Sequence, residues 1–210
     1  MTTEFSPKKH WENIYNTKNL QEVSWYQPTP ATSLDFIQGL QLNADAAIID
    51  IGGGDSFLVD HLLNAGYTNL TVLDISEAAI HRAKARLGNR ADHVTWIVSD
   101  INEFKPTTTY DVWHDRAAFH FLTEDTQISR YLNTVNDALS SFGTFILGTF
   151  SENGPKKCSG IEITQYSQQS MASLFSDNFV KIECTNVDHP TPFNTVQNFT
   201  FCIFKKKTTG

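Results

Sequence analysis

The stretch AAIIDIGGGDS, Ala46 to Ser56, decides the fold of this chain. Its apolar run, Ala47 to Ile49, carries β-branched residues too densely for a surface loop and leads into an acid and three consecutive glycines. That reads as a buried parallel strand entering a tight turn. Glycine has no Cβ, so Gly52, Gly53 and Gly54 are able to take positive φ and let a ligand press against the backbone. In the segment that follows, SFLVDHLLNAGY, residues Phe57, Leu58, His61, Leu62 and Ala65 fall at helical spacing. The turn is therefore expected to deliver its amides at a helix N-terminus. Strand, glycine turn and helix together make a cofactor cradle.

A second buried run, LTVLDIS, closes on Asp74 about 20 residues past the glycines, where a carboxylate accepts hydrogen bonds from both ribose hydroxyls of a nucleotide-like ligand. The competing reading of Asp74 is a helix cap, but Ser76 already fills that role before Glu77. A third strand, VTWIVSD, ends the same way in Asp100. Packing alone gives no reason for three strands to finish on an acid.

Strand and helix patterns then alternate along the chain. EAAIHRAKARLG sets Ala79, Ile80, Ala83 and Leu87 on one face, with Gly88 as a C-terminal stop and His81 on the solvent side. YDVWHD reads as a fourth strand, Tyr131 to Leu139 as a helix, and TFILGTF as a fifth buried strand. Repeated strand–helix alternation implies crossovers, hence a parallel sheet with helices on both faces. SENGPKKCSGIEITQYS reads as a loop, SQQSMASLFSDNF as a helix with Met171, Leu174 and Phe175 inward, and FVKIECTNVDH and VQNFTFCIFKK as an antiparallel pair. Upstream, Lys8 to Lys18 reads as a helix with Trp11, Ile14 and Tyr15 on one face. EVSWYQ adds Trp25 and Tyr26, and a further helix begins near Pro30 with Thr29 as its cap. The first aromatic face either packs onto the domain or covers a ligand.

A chain of 210 residues, 40% hydrophobic and 19% charged, suits one domain over 1–210, with 1–42 as a helical cap and 43–210 as a cofactor-binding core. The net charge of -7 argues against nucleic acid or an anionic membrane as partner. No apolar run approaches the about 20 residues a membrane span needs, and the N-terminus lacks a signal-like core. The cysteines Cys158, Cys184 and Cys202 have no metal-like spacing and read as free thiols in a reducing cytoplasm. No metal is expected.

With these motifs the chain resembles the class I S-adenosylmethionine (SAM)-dependent methyltransferases of the type 11/12-like kind. IIDIGGGDS resembles the first motif, with Ser56 where the family has a third glycine. LTVLDIS resembles the ribose-binding strand end, SDINEF the adenine-contacting segment, and YDVWHDRAAFHF the fourth strand and substrate-side turn. The resemblance implies a three-layer αβα Rossmann-like fold, with a seven-stranded sheet of order 3-2-1-4-5-7-6 and strand 7 antiparallel. It implies SAM as cofactor, held by Gly52, Gly53, Gly54, Asp74, Ile75, Asp100, Ile101 and Asp115. WENIY followed by SWY is similar to a subgroup containing small-molecule and protein-lysine methyltransferases, which adds Trp11, Tyr15 and Trp25 as contacts to the methionine part.

Open parallel sheets bind ligands beyond the carboxyl ends of their strands, where strand order reverses. Gly52 to Gly54, Asp74, Asp100 and Asp115 are therefore expected at one crevice between strands one and four. Methyl transfer asks the protein mainly to orient a nucleophile and exclude water, so a base is optional. WHDRAAFHF supplies the catalytic candidates Asp115, Arg116 and His120. Asp115 anchors the methionine ammonium or pairs structurally, Arg116 pairs a carboxylate of cofactor or substrate or a neighbouring acid, and His120 is a base or a core histidine. His114 is expected to point into the opposite layer. Tyr26, Arg116, Phe119, Cys158 and His189 are the substrate-side candidates. DRAAF stands where amino-methylating nucleic-acid enzymes carry Asn or Asp-Pro-Pro-aromatic, which argues against base methylation. The expected activity is methyl transfer to a small molecule by a monomer or homodimer, with a protein lysine as second acceptor. An NAD-dependent oxidoreductase shares the glycine turn and distant acid, and a non-catalytic SAM-binding module shares the whole fold.

Overall fold

The computed structural model of the chain describes residues 5–207, so the ends of the expected 1–210 domain lie outside the described residues. Five strands run parallel: β1 (Ala47–Ile51), β2 (Asn69–Asp74), β3 (Val94–Val98), β4 (Tyr110–Arg116) and β5 (Leu139–Phe150). A two-residue pair, β6 (Lys157–Cys158) and β7 (Ile161–Glu162), forms a hairpin of its own inside the segment read as a loop. β8 (Phe179–Pro190) and β9 (Val196–Lys206) complete the main sheet, whose order is β3-β2-β1-β4-β5-β9-β8. β9 is antiparallel to both neighbours. With the small hairpin set aside, this is the expected seven-stranded order.

Side chains alternate across a strand, so each strand feeds two cores. On one face Ile49, Trp113, Phe145 and Phe204 are covered by Tyr131 and Val135 of α5 (Asp125–Ala138) and Met171 of α6 (Gln168–Leu174). On the other, Ile48, Val72, Val112 and Ile146 meet Leu34 and Ile37 of α2 (Ala31–Gly39) and Leu58 and Leu62 of α3 (Leu58–Asn64). Phe145 packs at 5.0 Å from Phe175 and 5.7 Å from Phe204, ring to ring. Each such ring contributes about 1.5–3 kcal/mol through burial, which ties the antiparallel end to the parallel core. The remaining helices are α1 (Pro7–Thr17) and α4 (Glu77–Leu87).

Three local readings need correction. α2 starts from Pro30 with no side-chain cap, so Thr29 does not fill that role. β5 begins at Leu139 rather than near Thr144, because it advances by five positions, from Leu139 to Thr144, through a bulge while β4 advances by two, from Tyr110 to Val112. Cys184 and Cys202 are not free thiols. They stand opposite each other in the β8–β9 register, with Cα atoms 4.1 Å apart, and are joined as a disulfide. A separation of 18 positions along the chain hid that register. Only Cys158 is free, so the compartment reading no longer rests on three thiols. No helix among the described residues is long and apolar enough to cross a membrane.

The end of β4 is held by a chain of buried hydrogen bonds. Trp113 Nε1 donates to Tyr131 Oη (3.1 Å), and Tyr131 Oη donates to Asp115 Oδ2 (2.7 Å). Asp115 Oδ1 accepts from the amides of Ala118 (2.9 Å) and Phe119 (3.2 Å). These bonds hold a turn in which Ala117 takes φ +70°, a left-handed conformation costly for a residue with a Cβ. Tyr131→Phe strands both the indole N–H and a carboxylate oxygen in the core. It is expected to destabilise the fold by about 2–4 kcal/mol, read as a lower denaturation midpoint with unchanged m value. A variant within about 0.5 kcal/mol of wild type would show that Asp115 does not depend on the phenol.

Candidate active site

The turn after β1 forms the floor of a cavity of about 210 Å3. Gly52 takes φ +65°, and a Cβ there would stand 2.9 Å from the Ala118 Cβ. At Gly53 a Cβ would run into the Asp50 carboxylate. The turn amides are not presented to a ligand as expected: Gly52 N (2.8 Å) and Gly53 N (3.3 Å) both donate to the Leu73 carbonyl. The glycines serve close approach instead. Gly54 lies behind the wall, against the Asp74 carboxylate and Ala79.

Two acids stand beside this floor. Asp74, at the end of β2, is 4% exposed, and its Oδ1 accepts from Ser76 N at 2.8 Å. Burial pushes its carboxyl up to about 7, and the nearby Asp50 adds to the rise against the Ser76 bond. Asp100 lies two residues beyond β3 and accepts from Asn102 N at 2.9 Å, with Ile75 and Ile101 lining the same wall. Asp50 is bonded on the α2 face of the sheet by His114, which spans Asp50 Oδ1 (2.7 Å) and Ser33 Oγ (2.8 Å) and so points into the α2 layer as expected. Asp55 pairs with Arg82 and Arg86 at 3.0 and 2.7 Å.

The roof comes from the N-terminal segment. Trp11, Tyr15 and Trp25 all line the cavity; Trp11 stands 5.6 Å from Trp25 and 5.2 Å from Phe121, ring to ring. Tyr26 lines it too, edge-on to Phe57. Ile14 is the one buried residue of α1, so apolar packing alone holds the helix weakly. Polar bonds to α4 hold the rest. The Glu12 carboxylate accepts from the Glu77 (2.6 Å) and Ala78 (3.2 Å) amides, and Arg82 Nη1 donates to the Tyr15 and Lys18 carbonyls.

Toward β5 the wall holds Arg116 and Cys158. Arg116 Nη1 donates to the Trp25 carbonyl at 3.3 Å, and its guanidinium lies 4.7 Å over the Phe199 ring. Burial raises the Cys158 thiol to about 11, so it is neutral and no nucleophile at pH 7. The other candidates stand outside the lining. Asp115 has both oxygens engaged below the turn, and Phe119 is sealed in the core. His120 is buried, with Nδ1 accepting from Phe150 N; burial, then Arg116, lowers it to about 3, so it stays neutral. His189 lies in β8 rather than on a loop and bonds the Ser24 carbonyl (2.8 Å) and Gln27 (3.1 Å). Both bonds brace the segment carrying Trp25.

The sequence reading missed Phe121, Ala117 and Ala118, which line the cavity, and Glu12 and Arg82, which dock α1. Phe121 stands beside His120 in FHF, where nothing in the local pattern marks its ring as cavity-facing. Glu12 had a signal, an acid amid helix aromatics, but its partner is sixty-five residues away. The cavity suits an adenosyl sulfonium: a bare glycine floor, a carboxylate at each of two strand ends, and an aromatic roof whose ring faces attract a cation. Among the described residues no cluster fit for a metal occurs.

Residues 49–145 match the family model of a methyltransferase domain. The mouse eEF1A lysine and N-terminal methyltransferase is 26% identical over 152 residues, 68% of this chain and 21% of that protein. A malonyl-[acyl-carrier protein] O-methyltransferase of Anoxybacillus flavithermus is 32% identical over 108 residues, 50% of this chain and 39% of that protein. The chain thus spans about a fifth to two fifths of the length of these relatives. The N-methyltransferase NodS of Bradyrhizobium japonicum, solved with S-adenosyl-L-homocysteine (SAH), shares the fold over 97% of this chain and 100% of its own, with a TM-score of 0.69 and 16% identity. These likenesses support a class I SAM-dependent methyltransferase family for the chain.

The Glu12 bonds sit at a helix N-terminus, where a carboxylate gains about 1 kcal/mol or more. Glu12→Ala is expected to speed amide exchange across Ile14–Thr17 about tenfold with little change in melting temperature. Unchanged exchange would assign the docking of α1 to its apolar face.

Proposed function

We propose that the chain is one catalytic domain, 1–42 capping a 43–210 core, that transfers a methyl group from SAM to a small-molecule acceptor. The observation that carries this is a single cavity joining the Gly52 floor, Asp74, Asp100 and the aromatic roof. When bound, SAM supplies an electrophilic methyl group on a sulfonium, and SAH is left once the acceptor takes it.

In this reading Asp74 accepts from the ribose hydroxyls. Ile75, Asp100 and Ile101 flank the adenine, and Gly52 and Gly53 let the ligand lie against the backbone. Trp11, Tyr15 and Trp25 cover the sulfonium and exclude water, which shortens the path to an in-line attack. Tyr26, Arg116 and Cys158 face the acceptor. His120 and Asp115 do not serve as bases, because neither lines the cavity and Asp115 is fully engaged. The acceptor therefore arrives as a nucleophile that has lost its proton to solvent before the roof excludes water. A protein lysine is the second reading, favoured by the likeness to the mouse eEF1A lysine and N-terminal methyltransferase. A screen with radiolabelled methyl donor over small molecules and proteins separates the two, and binding of NAD in place of SAM would overturn both.

Two-point contact by Asp74 selects its ionised form, while the unliganded carboxyl sits near 7. Ligand binding then releases a proton, so SAH affinity measured by calorimetry is expected to rise about tenfold from pH 6 to pH 8. Asp74→Asn should flatten that slope. Asp74→Ala should weaken binding by about 2 kcal/mol, the loss of charge-assisted bonds. A flat wild-type profile would remove Asp74 from the ligand contacts.

A further inference from the structure

Among the described residues Arg116 is the single cation in a cavity wall that otherwise carries Asp50, Asp55, Asp74 and Asp100. Yet the ion pairs among the described residues leave Arg116 out: Asp50 is held by His114 and Asp55 by Arg82 and Arg86. Its Nη2 atom is buried without a hydrogen-bond partner, while Nη1 has only the Trp25 carbonyl. The groups packed against it are neutral: the Phe199 ring below, the Cys158 thiol, and His120 and His189, whose protonation burial opposes first and Arg116 second; the charge of Asp50 reaches it, but that carboxylate is bonded to His114. Burial draws the guanidinium itself down to about 10, still charged at neutral pH. A buried cation is ordinarily matched by an anion in contact with it, and here no acid among the described residues forms an ion pair with Arg116.

The topology says which end of the cavity lacks the anion. Asp74 and Asp100 follow β2 and β3, on one side of β1, whereas Arg116 ends β4 and lies over β9 on the other. A ligand whose nucleoside end rests at Asp74 leaves Arg116 at the opposite end, beside Cys158. Arginine presents a planar fork that matches a carboxylate with two parallel bonds, and one fork balances one negative charge. A phosphate dianion would ask for a second cation.

We infer that Arg116 is a specificity-determining residue that selects an acceptor bearing a carboxylate, which its buried Nη2 and Nη1 groups hold at the β4–β9 end of the cavity. This rests on the methyltransferase reading for its second ligand but not for its anion site. The test is calorimetric titration of wild-type protein, with and without saturating SAH, using benzoate and phenylacetate against benzamide, phenylacetamide and phenyl phosphate. The acids are expected to bind at least about tenfold more tightly than the amides and than phenyl phosphate. Arg116→Gln should abolish that preference while SAH affinity stays within about twofold, and Arg116→Lys, which keeps charge and stem, should retain part of it. Melting curves confirm that each variant is folded. Equal binding of acids and amides, tighter binding of phenyl phosphate, or weakened SAH binding in Arg116→Gln would each overturn the inference, the last by giving the fork to the cofactor's own carboxylate. A protein that takes no SAH yet keeps an Arg116-dependent acid preference would refute the cofactor reading and support the anion site.

Discussion

The Leu73 carbonyl accepts two amides from the glycine turn, Gly52 N and Gly53 N, and that pair of bonds draws the end of β1 onto the end of β2. Glycine makes it possible, because a Cβ at Gly52 or Gly53 would meet Ala118 or Asp50. Once the turn is drawn in, Asp74 stands beside a bare backbone rather than beside side chains. Its carboxylate is desolvated there, which lifts its titration into the neutral range. Floor, acid and proton affinity follow from one close approach.

The roof is attached by different physics. Sheet and covering helices are welded by two apolar cores, whereas α1 buries Ile14 alone and otherwise leans on charged groups reaching α4. Charge-assisted bonds near solvent contribute modestly and are screened by salt, while apolar burial is not. The layer over the cavity is therefore the one most readily released, and α4 links it to the floor through Arg82, which also reaches Asp55.

Adjacent residues at the end of β4 divide two tasks. Asp115 looks like chemistry in the sequence, but Tyr131 and two amides consume its oxygens and make it the anchor of a left-handed turn at Ala117. Arg116 is turned the other way and is left with a carbonyl and a ring face. Among the described residues the cavity is lined by acids from the ends of β1, β2 and β3 and by one cation, Arg116, at the end of β4.

Much of this was legible without coordinates. Strand periodicity, the glycine run and acids at strand ends are local signals, because side-chain alternation and glycine φ are properties of neighbouring residues. They led to the seven-stranded order, to Asp74 and Asp100, and to the lid aromatics Trp11, Tyr15 and Trp25, all of which line the cavity or build its sheet. Partnership between distant residues carries no such signal. That Cys184 faces Cys202, that the Gly52 amide goes to Leu73, that Asp115 belongs to Tyr131 and that Arg116 forms no ion pair among the described residues are matters of register and burial between segments far apart in the chain. Local chemistry named the residues able to act, and tertiary packing decided which of them still had an unsatisfied group to offer.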